Sequence, residues 1–184
     1  MIINGTINND GLVGTASNDT ILGGNGNDTV DGGTGDDYIG GESGNDSILG
    51  GAGNDALFGG SGDIQADSGN DTISGQQGND FINGQDGEDY LYGDNGDDTI
   101  LGGNGNDLIE GGTGDDSIFG DDTLLDEHFD SAGYLFNATV NSYGNDFLKG
   151  GNGNDLITAS LGSDILSGEK GNDIITSISD ANLP

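Results

Sequence analysis

A nine-residue repeat runs through almost the whole chain and decides what the chain can fold into. Written from Gly23, the sequence reads GGNGNDTVD, GGTGDDYIG, GESGNDSIL and GGAGNDALF, and the same frame returns from Gly102 and from Gly150. Extended in both directions, the frame gives sixteen units between residues 5 and 176. A period this short is typical of solenoids, in which each unit packs on its neighbours instead of joining one globular core.

Three positions of the unit hardly vary. The eighth is always aliphatic, and the fourth is glycine except at Asn8 and Ser17, in the first two units, where terminal capping repeats commonly depart from the rule. The sixth is aspartate throughout: Asp10, Asp19, Asp28, Asp37, Asp46, Asp55, Asp71, Asp80, Asp89, Asp98, Asp107, Asp116, Asp146, Asp155, Asp164 and Asp173. The glycine of the second position is replaced in several units, and the local turn geometry is left open in those with Glu42, Gln76, Gln85 and Glu169.

Two interruptions fall in the glycine-rich half of a unit. Insertions of seven residues (61–67) and twenty-one residues (122–142) restore the frame on both sides, although a two-residue deletion after Gly59 is an alternative interpretation of the first. Because the insertions leave the aliphatic half of each unit intact, we expect both to protrude from an edge of the stack. Residues 1–184 are predicted to form one domain, with repeats over 5–176 and a tail at 177–184.

Each unit divides into a turn and a strand. Glycines at positions one, two and four of GGxGxD permit positive φ and close backbone approach, so these six residues are predicted to make the turn. The remaining three, such as Ser47-Ile48-Leu49, make a very short strand whose central side chain faces inward. Two units then form one coil of eighteen residues around a thin row of Val, Ile and Leu. The predicted fold is all-β, a β-solenoid of stacked two-unit coils.

The charge of the chain indicates that it binds cations. Thirty-four Asp and Glu residues stand against Lys149 and Lys170, with no arginine, so the formal net charge is −32. Such a chain repels nucleic acids and anionic membrane surfaces. Because there is no cysteine and a single histidine, the available ligands are carboxylates and backbone carbonyls, which favour calcium over magnesium in flexible loops. If each ion lies between units n and n+2, at most fourteen sites exist.

Other classes of function have little support. The chain has neither a GxxxxGK[ST] phosphate loop nor an EF-hand spacing, and no apolar run approaches eighteen residues. The single histidine, His128, lies in the longer insertion and is interpreted as a solvated loop residue. The segment MIINGTINND lacks the basic and apolar regions of a Sec-type signal peptide. We therefore expect no enzymatic activity, no nucleic-acid partner, no membrane insertion and, if the protein is exported, a different export signal.

These units resemble the RTX, or hemolysin-type, calcium-binding nonapeptide repeat, GGxGxDxUx. The resemblance covers about nine-tenths of the chain and implies a right-handed parallel β-roll that binds several calcium ions between stacked turns. It implies that one turn contributes the carbonyls of its first and third residues to each site and that the stacked turn contributes those of its second and fourth. The sixth-position aspartates of both turns complete the site. One such site would combine Gly23, Asn25, Asp28, Glu42, Gly44 and Asp46.

Carried over unit by unit, the resemblance assigns calcium-binding positions to Asp19, Gly23, Gly24, Asn25, Gly26, Asp28, Gly32, Gly33, Thr34, Gly35, Asp37, Gly41, Glu42, Ser43, Gly44, Asp46, Gly50, Gly51, Ala52, Gly53, Asp55, Gly69, Asp71, Gly75, Gln77, Gly78, Asp80, Gly84, Asp86, Gly87, Asp89, Gly93, Asp94, Asn95, Gly96, Asp98, Gly102, Gly103, Asn104, Gly105, Asp107, Gly111, Gly112, Thr113, Gly114, Asp116, Gly144, Asp146, Gly150, Gly151, Asn152, Gly153, Asp155, Gly162, Asp164, Gly171 and Asp173.

The resemblance also implies where such a module works. An RTX module stays disordered at low cytosolic calcium, passes through a type I exporter and folds outside the cell. We therefore expect an extracellular or cell-surface protein whose partners are calcium ions and an exporter or a surface component. The alternatives are a structural surface-layer or adhesin spacer and an ice-binding solenoid, the last disfavoured because position seven forms no regular threonine ladder. The sequence does not define the oligomeric state.

Overall fold

The chain forms a parallel β-solenoid of two facing sheets. The structure, a computed structural model, describes residues 1–60, 69–120, 144–159 and 162–177. Within these ranges there are seventeen strands and no helix, and hence no apolar helix of membrane-spanning length. The first sheet contains β1 (Ile2–Asn4), β3 (Thr20–Asn25), β5 (Tyr38–Ser43), β7 (Ala56–Gly60), β9 (Phe81–Asp86), β11 (Thr99–Asn104), β13 (Ser117–Phe119), β15 (Leu156–Ala159) and β17 (Ile174–Ser177). The second sheet contains β2 (Gly11–Val13), β4 (Thr29–Thr34), β6 (Ser47–Ala52), β8 (Thr72–Gln77), β10 (Tyr90–Asn95), β12 (Leu108–Thr113), β14 (Phe147–Asn152) and β16 (Ile165–Lys170).

Consecutive strands alternate between the two sheets, so each strand pairs with the strand two places further along the chain. Thr20 pairs with Tyr38 in one sheet and Thr29 with Ser47 in the other, an offset of eighteen residues in both cases. All of the pairings are parallel. The predicted coil of two units and the all-β parallel fold are confirmed.

The offset between paired residues changes at the two interruptions. Ser47 pairs with Thr72, 25 residues further on, and Leu108 pairs with Phe147, 39 residues further on. These offsets exceed eighteen by seven and by twenty-one residues, the lengths of the two predicted insertions. A two-residue deletion after Gly59 would have placed Thr72 in the other sheet. The insertions themselves and the tail beyond Ser177 lie outside the described residues.

The core is a single row of aliphatic side chains between the sheets. Thirteen of the sixteen eighth-position residues are fully buried, each contributing about 2 kcal/mol of hydrophobic stabilisation. Leu12 and Leu166 are only partly buried, and Ile175 is 45% exposed, because the coils at the two ends have a neighbour on one side only. The row has no second layer, so hydrophobic packing is thin along the whole length.

The strands are longer than predicted. Most have six residues instead of three, because pairing continues through the first three residues of the next unit. Between β3 and β5, Leu22 pairs with Gly40 and Gly24 with Glu42, whereas Gly23 is skipped by the register. The chain therefore bends at the first position and rejoins the ladder at the second, where the φ of 103° at Gly24 favours glycine.

Side chains at the second position do not change this bend. The residues there with positive φ are Glu42 (78°), Gln76 (77°), Gln85 (76°), Asp94 (73°) and Glu169 (65°). Glu42 pairs in register with Gly24, and Gln85 with Gly103, as glycines would. A left-handed conformation costs an L-residue about 1–2 kcal/mol, so the parallel ladder on both sides must hold these residues in place.

A strand also precedes the first predicted unit. β1 pairs residue by residue with β3, which places Ile3 beside Ile21, and Ile3 packs against the buried row. Ile3 therefore takes the eighth-position place one unit before Gly5. Sequence analysis missed this strand because the frame was identified from glycine-rich turns, and only Met1 precedes β1 in the sequence.

Candidate metal centre

The turns line the two edges of the solenoid. With units counted from Gly5, the turns of odd-numbered units form one edge, here called the odd edge, and those of even-numbered units form the other, the even edge. The residues predicted to bind calcium lie on the odd edge at 23–28, 41–46, 69–71, 84–89, 102–107, 144–146 and 162–164. Those on the even edge lie at 19, 32–37, 50–55, 75–80, 93–98, 111–116, 150–155 and 171–173.

Both interruptions belong to the odd edge. The chain leaves the described turns after Gly60 and re-enters at Gly69 in unit 7, and it does the same at Gly120 and Gly144 in unit 13. All eight turns of the even edge are described without a break. The two edges therefore differ in continuity although their repeats are alike.

The sixth-position aspartates form a hydrogen-bonded column on each edge. The backbone N–H of Asp28 donates to Oδ1 of Asp46 at 2.8 Å on the odd edge, and that of Asp37 donates to Oδ1 of Asp55 at 2.8 Å on the even edge. Fourteen such bonds link the sixteen aspartates. Thirteen of these aspartates are only 1–4% exposed. One carboxylate oxygen is thus satisfied by the preceding turn.

The other carboxylate oxygen, Oδ2, is buried without a hydrogen bond in eight aspartates of the described residues: Asp28, Asp37, Asp55, Asp80, Asp89, Asp98, Asp116 and Asp155. A buried carboxylate oxygen with no partner is strongly unfavourable, because its hydration is lost and nothing replaces it. A positive ion at this position would remove the penalty.

A carbonyl oxygen of the next turn faces the same space. A methyl group at Gly23 would lie 2.5 Å from Oδ2 of Asp28 and 2.5 Å from the carbonyl oxygen of Gly41. On the even edge, a methyl group at Gly32 would lie 2.6 Å from Oδ2 of Asp37 and would also meet a carbonyl of the next turn. We call this space between a first-position glycine, the aspartate of its own turn and the first-position carbonyl of the next turn the cradle. A side chain at this wall would fill the cradle, and the first position is glycine in every unit except unit 15, which has Ala159.

Further carbonyls face the cradle from both turns. Between units 4 and 6, the N–H of Gly35 donates to the carbonyl of Ala52 at 2.7 Å, so the third-position carbonyl of the later turn points back towards the earlier turn. The carbonyl of Gly50 points the same way, close to Gly32. The carbonyls of Gly33 and Gly35 point forward, against Gly51 and Gly53. Carbonyl oxygens of both turns therefore point into the layer between units 4 and 6, on the edge where the Asp37 carboxylate lies.

This arrangement favours a different ligand pairing from the one that the resemblance implies, which stays a prediction. The carbonyls at positions one and three come from the later turn and those at positions two and four from the earlier, the reverse of the set Gly23, Asn25, Glu42 and Gly44. The carbonyl of Gly23 faces Gly5 in the preceding coil. Alternate carbonyls of a parallel strand point to opposite neighbours, and the direction in which the coils stack decides which pair faces which.

Side chains alone do not build a metal site on either edge. Across the described ranges, no three Asp, Glu or His side chains converge as metal ligands. Most ligands would be main-chain carbonyls, and calcium accepts six to eight such oxygens at about 2.3–2.6 Å in flexible geometry. The unpartnered Oδ2 atoms and the glycine-walled cradles therefore fit calcium.

Comparison with known proteins decides the family. The family model of the RTX calcium-binding nonapeptide repeat matches residues 4–39, 33–63, 65–100, 92–123 and 141–175. The chain belongs to the RTX calcium-binding repeat family. It is a calcium-binding RTX module, as its sequence predicted. No curated protein matches it significantly.

Burial raises the pKa of several sixth-position aspartates when no metal is bound. Loss of hydration raises the pKa of Asp98 to about 7 and that of Asp55, Asp89 and Asp116 to about 6, although a backbone N–H donated to each carboxylate opposes the shift. The ordinary value of these groups is 3.8. A metal-free roll thus retains protons that the unfolded chain has already released.

We expect acid to favour the metal-free roll. Between about pH 4 and pH 7 the roll binds more protons than the unfolded chain, so its relative stability rises as the pH falls through this window and is lost as the pH rises through the folded-state values. Circular dichroism of the RTX module in excess chelator should show more strand at pH 5 than at pH 8. The gain should be smaller for Asp98→Asn, since an amide does not titrate. Strand content that stays constant or falls on acidification would contradict this assignment.

A second hydrogen-bonded column, at the fifth position, was missed by sequence analysis. The backbone N–H of Asn27 donates to Oδ1 of Asn9 at 3.0 Å, and that of Asn54 donates to Oδ1 of Asp36 at 3.0 Å. Thirteen such bonds run along the two edges. Here the earlier turn supplies the acceptor, opposite to the aspartate column, so each turn is held from both sides. The sequence could have predicted this column, because the fifth position is Asn, Asp, Glu or Ser in every unit.

Proposed function

We propose that calcium ions bind in the cradles and fold the RTX module outside the cell. The observation that carries this proposal is the row of buried Oδ2 atoms, seven of which lie with a carbonyl oxygen of the next turn beside a first-position glycine. Without a cation, folding brings unbalanced negative charges together in a dry interior. With calcium, the same burial becomes favourable because the ion replaces the lost water.

The proposed ligands follow from the geometry between units 4 and 6. There the Asp37 carboxylate and the carbonyls of Gly33, Gly35, Gly50 and Ala52 would hold the ion, and the equivalent positions would do so along both edges. A bound calcium supplies two positive charges and no redox chemistry. Fourteen ions would bring a charge of +28 to a chain with a formal charge of −32. The proposed role is binding and folding, without catalysis.

The same chemistry supports an extracellular or cell-surface location. Calcium sites of extracellular modules bind at about 10⁻⁴–10⁻³ M and stay empty at cytosolic calcium levels. A thin core and a large charge of one sign keep such a chain unfolded until the ions bind. An unfolded chain can pass through an exporter and then fold on release. A type I exporter is therefore the proposed partner.

A calorimetric titration tests this function. Calcium is expected to bind cooperatively with a midpoint of about 10⁻⁴–10⁻³ M, whereas magnesium at the same concentration should not replace it because it requires rigid octahedral geometry and retains its water. A midpoint below the micromolar range would contradict the extracellular setting, since the module would then fold before export. Absence of calcium binding would contradict the whole proposal.

A further inference from the structure

The first coil differs at its cradles from the eight later turns whose Oδ2 has no hydrogen bond. In units 1 and 2 the second position is threonine. The backbone N–H of Thr6 donates to Oδ2 of Asp10 at 2.6 Å, and its hydroxyl donates to the same oxygen at 2.8 Å. Thr15 makes the same two bonds to Oδ2 of Asp19, at 2.6 and 2.7 Å. The oxygen that is buried without a hydrogen bond in eight later turns therefore has two donors here.

The carboxylates of the first coil are also turned away from the cradle. A methyl group at Gly5 or Gly14 would lie 3.1 Å from Oδ2 of the aspartate in its own unit, whereas the distance is 2.5 Å at Gly23. Thr6 and Thr15 do not share the positive φ of the second-position glycines, such as the 103° of Gly24. Their N–H groups point at the carboxylate as a result.

The even edge shows the contrast along one column. Oδ2 of Asp19 accepts two hydrogen bonds from Thr15, and its Oδ1 accepts one from the amino group of Met1. The later even-edge aspartates whose Oδ2 lacks a hydrogen bond within the described turns are Asp37, Asp55, Asp80, Asp98, Asp116 and Asp155. The change occurs in one step, between the first coil and the second.

We propose that the first coil is a metal-free cap. The cradles at Asp10 and Asp19 hold no calcium, and at most twelve of the fourteen spaces between stacked turns bind an ion. This inference rests on the proposed binding of calcium in the other cradles. Two donors to one carboxylate oxygen form charge-assisted hydrogen bonds that supply locally what the ion supplies elsewhere.

The cap also orients the first ligands of the calcium column. The N–H of Asp10 donates to Oδ1 of Asp28 at 2.8 Å, and that of Asp19 donates to Oδ1 of Asp37 at 2.7 Å. These bonds direct the free Oδ2 atoms of the second coil into their cradles. The carboxylates of the first coil are therefore satisfied by hydrogen bonds, and the first ions bind one coil further along the chain.

A crystal structure of the calcium-loaded wild-type chain, with the ions located by anomalous scattering, tests this inference directly. Ions are expected in cradles from unit 3 onwards and absent between units 1 and 3 and between units 2 and 4. An ion in either of these two spaces would overturn the cap. A chain that takes up no calcium at all would instead overturn the calcium-binding proposal beneath it.

Restoring the glycine turn provides a second test. The changes Thr6→Gly, Asn8→Gly, Thr15→Gly and Ser17→Gly together should open both cradles and raise the number of ions counted by native mass spectrometry by two. Thr29→Gly is the control, because Thr29 lies at an exposed seventh position outside the turns and should leave the count unchanged. An unchanged count in the fourfold variant, with the fold retained, would overturn the cap. If that variant does not fold, the wild-type count decides, since fourteen bound ions would overturn the inference and twelve would support it.

Discussion

In excess chelator, the radius of gyration of the chain is expected to rise from about 16 Å to about 46 Å, the values for a compact and an unfolded chain of 184 residues. The reason is that one row of aliphatic side chains must hold together two edges in which at least eight carboxylate oxygens are buried without a partner. Small-angle X-ray scattering at pH 8, with circular dichroism on the same samples, measures both the expansion and the loss of strand.

The expansion should reverse when calcium is added back, and an equal concentration of magnesium is the control. A compact, strand-rich chain in excess chelator would show that the hydrophobic row and the fifth-position bonds suffice without the ions. The transition should be steep, because each bridging aspartate contacts the turns on both sides of its own.

Gly93→Ala should abolish one calcium site and reduce the free energy of unfolding in saturating calcium by about 3 kcal/mol, the linkage energy of one ion present at 100 times its dissociation constant. The added methyl would meet Oδ2 of Asp98 and lie 2.5 Å from the carbonyl of Gly111. Gly93 does not have a positive φ, so the backbone accepts alanine and the effect is confined to the cradle. Urea unfolding with and without calcium measures the change.

Gly11→Ala is the matched control for this substitution. A methyl group there meets nothing within 4 Å, and the residue does not have a positive φ. Its effect should stay within about 1 kcal/mol and should be stabilising if it comes from the unfolded chain. Equal losses in the two variants would show that the first-position glycine does not border an ion site.

The period and the carboxylates were predictable because each repeats in every unit. A nine-residue unit with one aliphatic residue can bury that residue only by facing another unit, so the two-unit coil followed from the spacing. Invariant aspartate among glycines identified an oxygen-ligand metal. The offsets of 25 and 39 residues followed from counting residues from Asp46 to Asp71 and from Asp107 to Asp146.

Other features depend on directions that residue identity does not encode. Strand length was underestimated because glycine disfavours an isolated strand. In the solenoid, pairing with the neighbouring strands keeps Gly24 within β3. Which neighbouring turn a given carbonyl points towards depends on the direction in which the coils stack. The Thr6 cap was visible only as a departure from glycine, since the sequence does not say that its N–H and hydroxyl converge on Asp10.

The confinement of both interruptions to the odd edge divides the molecule into a constant side and a variable side. An insertion in one turn increases the sequence offset between paired residues by the same amount in both sheets. The strand register is therefore kept, and the next coil stacks as before. Added length of this kind costs little, because the entropy of loop closure grows slowly with the number of residues. The turns of the even edge form the continuous side of the solenoid. The turns of the odd edge are where evolution can lengthen the chain and where a protein engineer should insert a foreign segment.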